Sequence, residues 1–292
     1  MMSQPLQAVD TELMYLAPGS FVNRRFVCQG QEVNTGRYEP YPVRIRDARP
    51  LRDEFTLDSH GFVLADHESR VQDFLDPAEV DHIYPAEAET VIRKLTGADK
   101  VVLRGWMVRT SADIPKENVT DYRHQGGVQP PAAEVHVDFS PECAERMARS
   151  TYEQMFPGDA PYQRFLITSL WRTFSPPPQD CPLALCDAGS VSAEEGTPNA
   201  LVVVDEIPDY DAMVGDWPEE ELTIQASIFR YSPEHRWWYF SGMNRDEVLL
   251  FKFHDSDHQR PWRVPHTSFF NSSAAGARTR QSIEVRSVAY FL

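Results

Sequence analysis

The sequence is short of positive charge. It sets 28 Lys and Arg against 44 Asp and Glu, a net charge of −16. Proteins that bind nucleic acid need a basic surface to displace counterions from phosphate, and anionic membranes attract basic segments, so both kinds of partner are disfavoured. Glycine is scarce too, 14 against 23 prolines. Neither GxGxxG nor GxxxxGK[ST] occurs, so nucleotide-binding folds lose the loops that cradle phosphate. The four cysteines, Cys28, Cys143, Cys181 and Cys186, are too few and too unevenly spaced for a disulfide framework or a zinc knuckle. They read as reduced thiols. No run reaches the ~18 apolar residues of a membrane helix. The opening Met1-Met2-Ser3-Gln4-Pro5 lacks the basic-then-apolar pattern of a secretory leader. These absences predict a cytoplasmic protein. What is present is core material: 41% of residues are hydrophobic and 11% aromatic, enough to rule out a disordered chain.

The pattern along the chain is mainly β with flanking α. Residues 1–100 are polar and read as loops, with a helix expected over 85–95 and a shorter one over 67–74. Val91, Ile92 and Leu95 share one face of the first, and Gly97 is its stop. From Val101 the texture changes. Strands are expected over 101–110, 134–139, 164–172, 200–204, 222–231, 236–240, 247–253, 264–270 and 282–291, each β-branched or aromatic and bounded by turn residues. A helix should open at Ser140-Pro141, a good N-cap followed by the residue favoured at the first helical position, and run to about Met155. Residues 175–180 and 188–199 read as rim loops. Many short strands with few helices between them predict an antiparallel jelly-roll (a cupin-like double-stranded β-helix) over 101–292. Residues 1–100 should buttress it, making a single domain of 1–292.

Three features carry chemistry. His136-Val137-Asp138 lies on an expected strand, where residues two apart share a face and can grip one ion. Alone, the triplet is equally a half-buried His beside a solvated Asp. His266, on a late strand, supplies a second imidazole. Two histidines and a carboxylate on one face of an octahedral ion form the triad of non-haem Fe(II) oxygenases. Zinc hydrolases use similar ligands, but the HExxH helix is absent. Arg280-Gln281-Ser282 can hold a carboxylate by a charged fork plus a hydroxyl. Arg280, Ser282, Glu284 and Arg286 share one strand face, so Arg286 rivals Arg280. Arg172 is a candidate second clamp. His254, Asp257 and His258 read as a solvated turn.

The order of these motifs resembles the Fe(II)/2-oxoglutarate-dependent oxygenases. Further segments resemble the microbial hydroxylase/desaturase family, whose relatives are described as cephalosporin methoxylase-related or gibberellin desaturase-like. They include Val135-His136-Val137-Asp138, Ser169-Leu170-Trp171-Arg172, Cys181-Pro182-Leu183-Ala184-Leu185-Cys186-Asp187, Pro265-His266-Thr267 and Arg280-Gln281-Ser282-Ile283-Glu284-Val285-Arg286. The resemblance implies that His136, Asp138 and His266 ligate Fe(II). It implies that Arg280, with Ser282, binds the distal carboxylate of 2-oxoglutarate. It further implies that O2 is consumed and that succinate and CO2 leave as a C–H bond of a small secondary metabolite or amino-acid derivative is hydroxylated, desaturated or cyclised. Where the family usually has Pro after Trp-Arg, this chain has Thr173 and a proline-rich loop from Pro176, so the substrate does not carry across. Three rivals keep the fold: an iron enzyme that does without 2-oxoglutarate, a zinc or manganese cupin, and a non-catalytic cupin-like binding module. Monomer and homodimer are both open.

Overall fold

The computed structural model describes residues 6–28, 31–113, 128–272 and 274–292; the reading of residues 1–5 lies outside them. Sixteen strands are described, with three α-helices. The strands are β1 (Ala8–Leu16), β2 (Arg24–Cys28), β3 (Gln31–Asn34), β4 (Tyr38–Asp47), β5 (Phe62–Asp66), β6 (Lys100–Thr110), β7 (Val128–Gln129), β8 (His136–Val137), β9 (Arg164–Thr173), β10 (Leu183–Cys186), β11 (Thr197–Val203), β12 (Gln225–Ile228), β13 (Trp237–Tyr239), β14 (Glu247–Asp255), β15 (His266–Ser268) and β16 (Gln281–Phe291). The helices are α1 (Pro77–Thr96), α2 (Pro141–Met155) and α3 (Tyr210–Val214).

The strands form two sheets, ordered β1-β4-β13-β10-β15-β8-β12-β11-β2-β3 and β5-β14-β9-β16-β6-β7. Side-chain alternation sorts β9 and β16 onto two cores. Phe165, Ile167, Trp171, Val288 and Tyr290 join Tyr15, Ile45, Leu185 and Trp237 of the first sheet in one hydrophobic cluster. Leu166, Leu170, Ile283, Val285 and Ala289 point the other way, onto Val80, Tyr84, Ala88, Val91 and Ile92 of α1. The second sheet is therefore buried on both faces, which is why β14 is buried at every position. This is the mainly β, two-sheet jelly-roll architecture that the strand pattern predicts.

Three local expectations need correction. Residues 1–100 carry five strands, four extending the first sheet and one the second. Pro40 and Pro42 hide the β4 pattern, yet they sit opposite Met14 and Glu12 of β1, in the half of β4 that has no other described neighbour. There the missing N–H breaks no ladder. Helix α1 begins at Pro77 under an Asp76 cap and runs through Pro85. An internal proline costs about 3 kcal/mol. Burying Val80, Tyr84, Val91 and Ile92, at about 1.5–3 kcal/mol for a large apolar side chain, outweighs it. Gly97 ends the helix at φ 71°, as its position suggests. Residues 67–74 are not helical, because side chains of α1 serve their backbone. The Glu87 carboxylate accepts from Arg70 N, and that of Glu79 from Gln72 N and Asp73 N.

The helix expected after the His-x-Asp triplet matches to the residue: Ser140 Oγ caps Cys143 N and α2 spans Pro141–Met155. That helix anchors the chain at the point where the triplet leaves β8.

Candidate metal centre and its cavity

His136 lies on β8 and His266 on β15, which are neighbours, and the two residues face each other in register. Their rings are 4.4 Å apart. His136 Nδ1 donates to the Glu134 carbonyl at 2.8 Å, and His266 Nδ1 to the Val264 carbonyl at 3.1 Å. A neutral imidazole whose Nδ1 donates carries its lone pair on Nε2, so both rings are set in the tautomer that ligates through Nε2. Asp138, two residues beyond His136, brings Oδ1 to 3.2 Å from His136 Nε2 and 3.6 Å from His266 Nε2. The three ligand atoms lie within 4.8 Å of one another and form the one such cluster of His, Cys, Asp and Glu among the described residues. Two imidazoles and one carboxylate are a donor set that suits Fe(II) and leaves half an octahedron open.

The surroundings are dry and cationic. Phe251 and Phe253 pack on the His266 ring, at 4.9 and 5.4 Å. Burial would raise the Asp138 carboxyl, but the charge of Arg286, with the two neighbouring histidines, holds it well below the usual carboxylate range. Burial lowers His136, yet Asp138 lifts it above its ordinary value. Burial and the neighbouring His136 lower His266.

Arg280 lies in the same cavity as the cluster, with Trp171, Arg109 and Glu284. It is only 2% exposed, and its guanidinium stands 5.8 Å from the Trp171 ring. Its Nε and Nη2 have no hydrogen-bond partner among the described residues. Burial pulls it down to about 10, which still leaves it charged at neutral pH. A buried guanidinium with two donors unused is a seat for a carboxylate. Ser282, next along that strand face, is buried with its hydroxyl equally unpartnered.

Arg286 also reaches the centre, but as a partner of the cluster: its Nη2 is ion-paired with Asp138 Oδ2 at 2.7 Å and with Glu284 Oε1 at 2.9 Å. Arg172 does not reach it. One position past Trp171, it faces α1, where it donates to Tyr84 Oη at 3.0 Å and the Arg245 carbonyl at 3.0 Å and contacts His67 Nδ1 at 2.5 Å. The clamp expected of Arg172 is thus corrected by the two-residue period of β9. His254 is likewise not in a solvated turn: it closes β14, buried, with its ring stacked 5.4 Å from Phe165. Arg109 escaped the sequence reading. It enters the cavity because β6 pairs with β16, placing Arg109 opposite Ser282, a pairing with no local signal.

A His-Asp-His cluster in a jelly-roll core, beside a buried guanidinium, fits the donor set of mononuclear metal oxygenases. Comparison with known proteins specifies the family. A family model described as "Oxidoreductase/YMDC permease-like domain" matches residues 13–290. The chain is 31% identical to the hydroxylase/desaturase efuI of Hormonema carpetanum, over 87% of this chain and 85% of that one. It is 30% identical to the alpha-ketoglutarate-dependent dioxygenase tstK of Talaromyces stipitatus, over 85% and 84%. The solved structure of the iron and alpha-ketoglutarate-dependent endoperoxidase NvfI superposes with a TM-score of 0.76 at 25% identity, covering 97% of this chain and 98% of that one. The chain belongs to the Fe(II)/2-oxoglutarate-dependent dioxygenases, in the branch whose members are named hydroxylase/desaturases. It is an oxidoreductase whose cofactors are Fe(II), 2-oxoglutarate and O2. No helix of the described residues is long and apolar enough to cross a membrane.

Proposed function

We propose that His136 Nε2, Asp138 Oδ1 and His266 Nε2 hold the iron, and that Arg280 with Ser282 receives the distal carboxylate of 2-oxoglutarate. The observation that carries this reading is the placement of two unused donors of a buried arginine in the same cavity as three converging ligand atoms. Iron, when bound, would let O2 act as the oxidant, with two electrons coming from 2-oxoglutarate as it becomes succinate and CO2 and two from the substrate, and the protein supplies geometry. Val264 and Glu134 carbonyls fix the two imidazoles. Phe251, Phe253 and Trp171 keep water from the reacting atoms. Arg280 fixes one end of the co-substrate and so orients its keto-acid end toward the ligands. A small secondary metabolite or amino-acid-derived molecule is the substrate class, oxidised at an unactivated C–H bond by hydroxylation, desaturation or ring closure. The relatives named hydroxylase/desaturase and the endoperoxidase NvfI support that range. We place the enzyme in the cytoplasm, in keeping with its four free thiols, as one oxygenase domain acting as a monomer or homodimer.

The test is succinate formation from 2-oxoglutarate by protein loaded with Fe(II) in air. Wild type should release succinate, and Arg280→Ala should need roughly 30-fold more 2-oxoglutarate, the loss of about 2 kcal/mol of charged hydrogen bonding. Equal succinate release by both proteins at limiting 2-oxoglutarate would remove Arg280 from the site.

A further inference from the structure

We infer that Arg286 is a positioning residue that makes Asp138 a one-oxygen ligand, a role that rests on the metal-centre reading above. A carboxylate has two equivalent oxygens and can close on a metal with both. In this protein the two are assigned different work. Oδ1 faces the Nε2 atoms of His136 and His266, at 3.2 and 3.6 Å. Oδ2 is ion-paired with Arg286 Nη2 at 2.7 Å. Arg286 does not reach Asp138 as a loose side chain. Glu284 Oε1 is ion-paired with the same Nη2 at 2.9 Å, and Glu284 Oε2 accepts from Arg109 Nε at 3.4 Å. Arg109 in turn donates from Nη1 to the Pro130 carbonyl at 2.9 Å. The result is a line of alternating charge, Asp138, Arg286, Glu284, Arg109, that ends on backbone.

The line follows from the pleat of one strand. Glu284 and Arg286 are two residues apart on β16 and share the face that looks into the cavity, while Val285 between them packs toward α1. Arg109 reaches the same place from β6, opposite Ser282. The two arginines of β16 therefore divide the labour: Arg280 has buried donors to offer, and Arg286 is engaged with a ligand. Partners of this kind, one bond behind a metal ligand, typically change metal affinity by about 10–100-fold when removed.

The test is anaerobic titration of the intact metal-free protein with Co(II) alone, followed by the Co(II) visible spectrum and then by 2-oxoglutarate binding to the Co(II) form. Arg286→Gln should weaken Co(II) binding by about 10–100-fold and alter the spectrum, as Oδ2 becomes free to join the metal. Arg286→Lys, which keeps one charged donor, should recover part of that loss. Wild-type Co(II) affinity and an unaltered spectrum in Arg286→Gln would overturn the inference. So would intact Co(II) binding with lost 2-oxoglutarate affinity, which would make Arg286 the co-substrate clamp. Should Arg286→Gln fail to fold, Glu284→Gln leaves Arg286 in place with a weaker anchor. It should weaken Co(II) binding in the same direction, and unchanged binding would count against the role. Failure of the wild type itself to bind Co(II) would instead defeat the metal-centre reading.

Discussion

At the residue scale, the three ligand candidates make different demands. His136 and His266 are set by backbone carbonyls and face each other across adjacent strands. Removing either imidazole leaves two ligands of three. His136→Ala should abolish Fe(II) binding and turnover while leaving the far-ultraviolet circular dichroism of the wild type. Retained turnover would show that the ligand set is wrongly assigned. His254 tests a different property. Burial lowers its pKa to about 3, so it is neutral in the fold, whereas in the unfolded chain it titrates near 6.5. Below that value the unfolded state binds the extra proton, so stability falls as pH falls from about 6.5 towards 3. His254→Phe keeps an aromatic ring against Phe165 and Trp262 and removes the proton. Between pH 7 and pH 5 the wild type should lose about 2 kcal/mol more than the variant, read from denaturant midpoints. Parallel losses in the two proteins would show that His254 is not the cause.

At the element scale, β9 shows what a two-residue period decides. Trp171 faces the cavity and Arg172, its neighbour, faces α1. Read from sequence, Trp171-Arg172 looks like a single motif, and only the side of the sheet tells its two halves apart. Arg172→Met should therefore act on stability. It leaves Tyr84 Oη and His67 without their cation and should cost about 3 kcal/mol, seen as a lower melting temperature, while folded protein keeps its 2-oxoglutarate affinity. A variant with normal stability and weak 2-oxoglutarate binding would restore Arg172 to the site. The elements that were legible share one trait: their signal is local. Ser140-Pro141 marks the start of α2 and Gly97 the end of α1, each by backbone chemistry within a turn. Strand β4 was obscured because Pro40 and Pro42 interrupt its pattern, and what makes them harmless is their pairing with Met14 and Glu12 of β1. The His136, Asp138 and His266 cluster was legible because His136 and Asp138 sit two apart and His266 falls on a strand of its own. Arg109 and the Asp138–Arg286–Glu284 line were not, because they depend on the pairing of β6 with β16 and on the meeting of the two sheets.

At the scale of the whole molecule, the charge balance takes on a local meaning. A chain at −16 must bind a dicarboxylate, which its overall field repels. The cavity answers with two guanidiniums in its wall, Arg109 and Arg280, and a third, Arg286, paired with Asp138 from beside it, against the carboxylates of Asp138 and Glu284. Two of the three, Arg109 and Arg286, are paired with those carboxylates, and the third, Arg280, has buried donors with no partner among the described residues. Arg172, the candidate second clamp, is not among them; it faces α1, and Arg109 lines the cavity instead.

The central claim is that one cavity gathers the iron and 2-oxoglutarate together. Its most direct test is the visible spectrum of the protein mixed with Fe(II) and 2-oxoglutarate without oxygen. The account predicts a weak charge-transfer band that needs both additions, is lost in His136→Ala, and in Arg280→Ala appears only at much higher 2-oxoglutarate. A folded, iron-loaded wild type that shows no such band at saturating 2-oxoglutarate would contradict it.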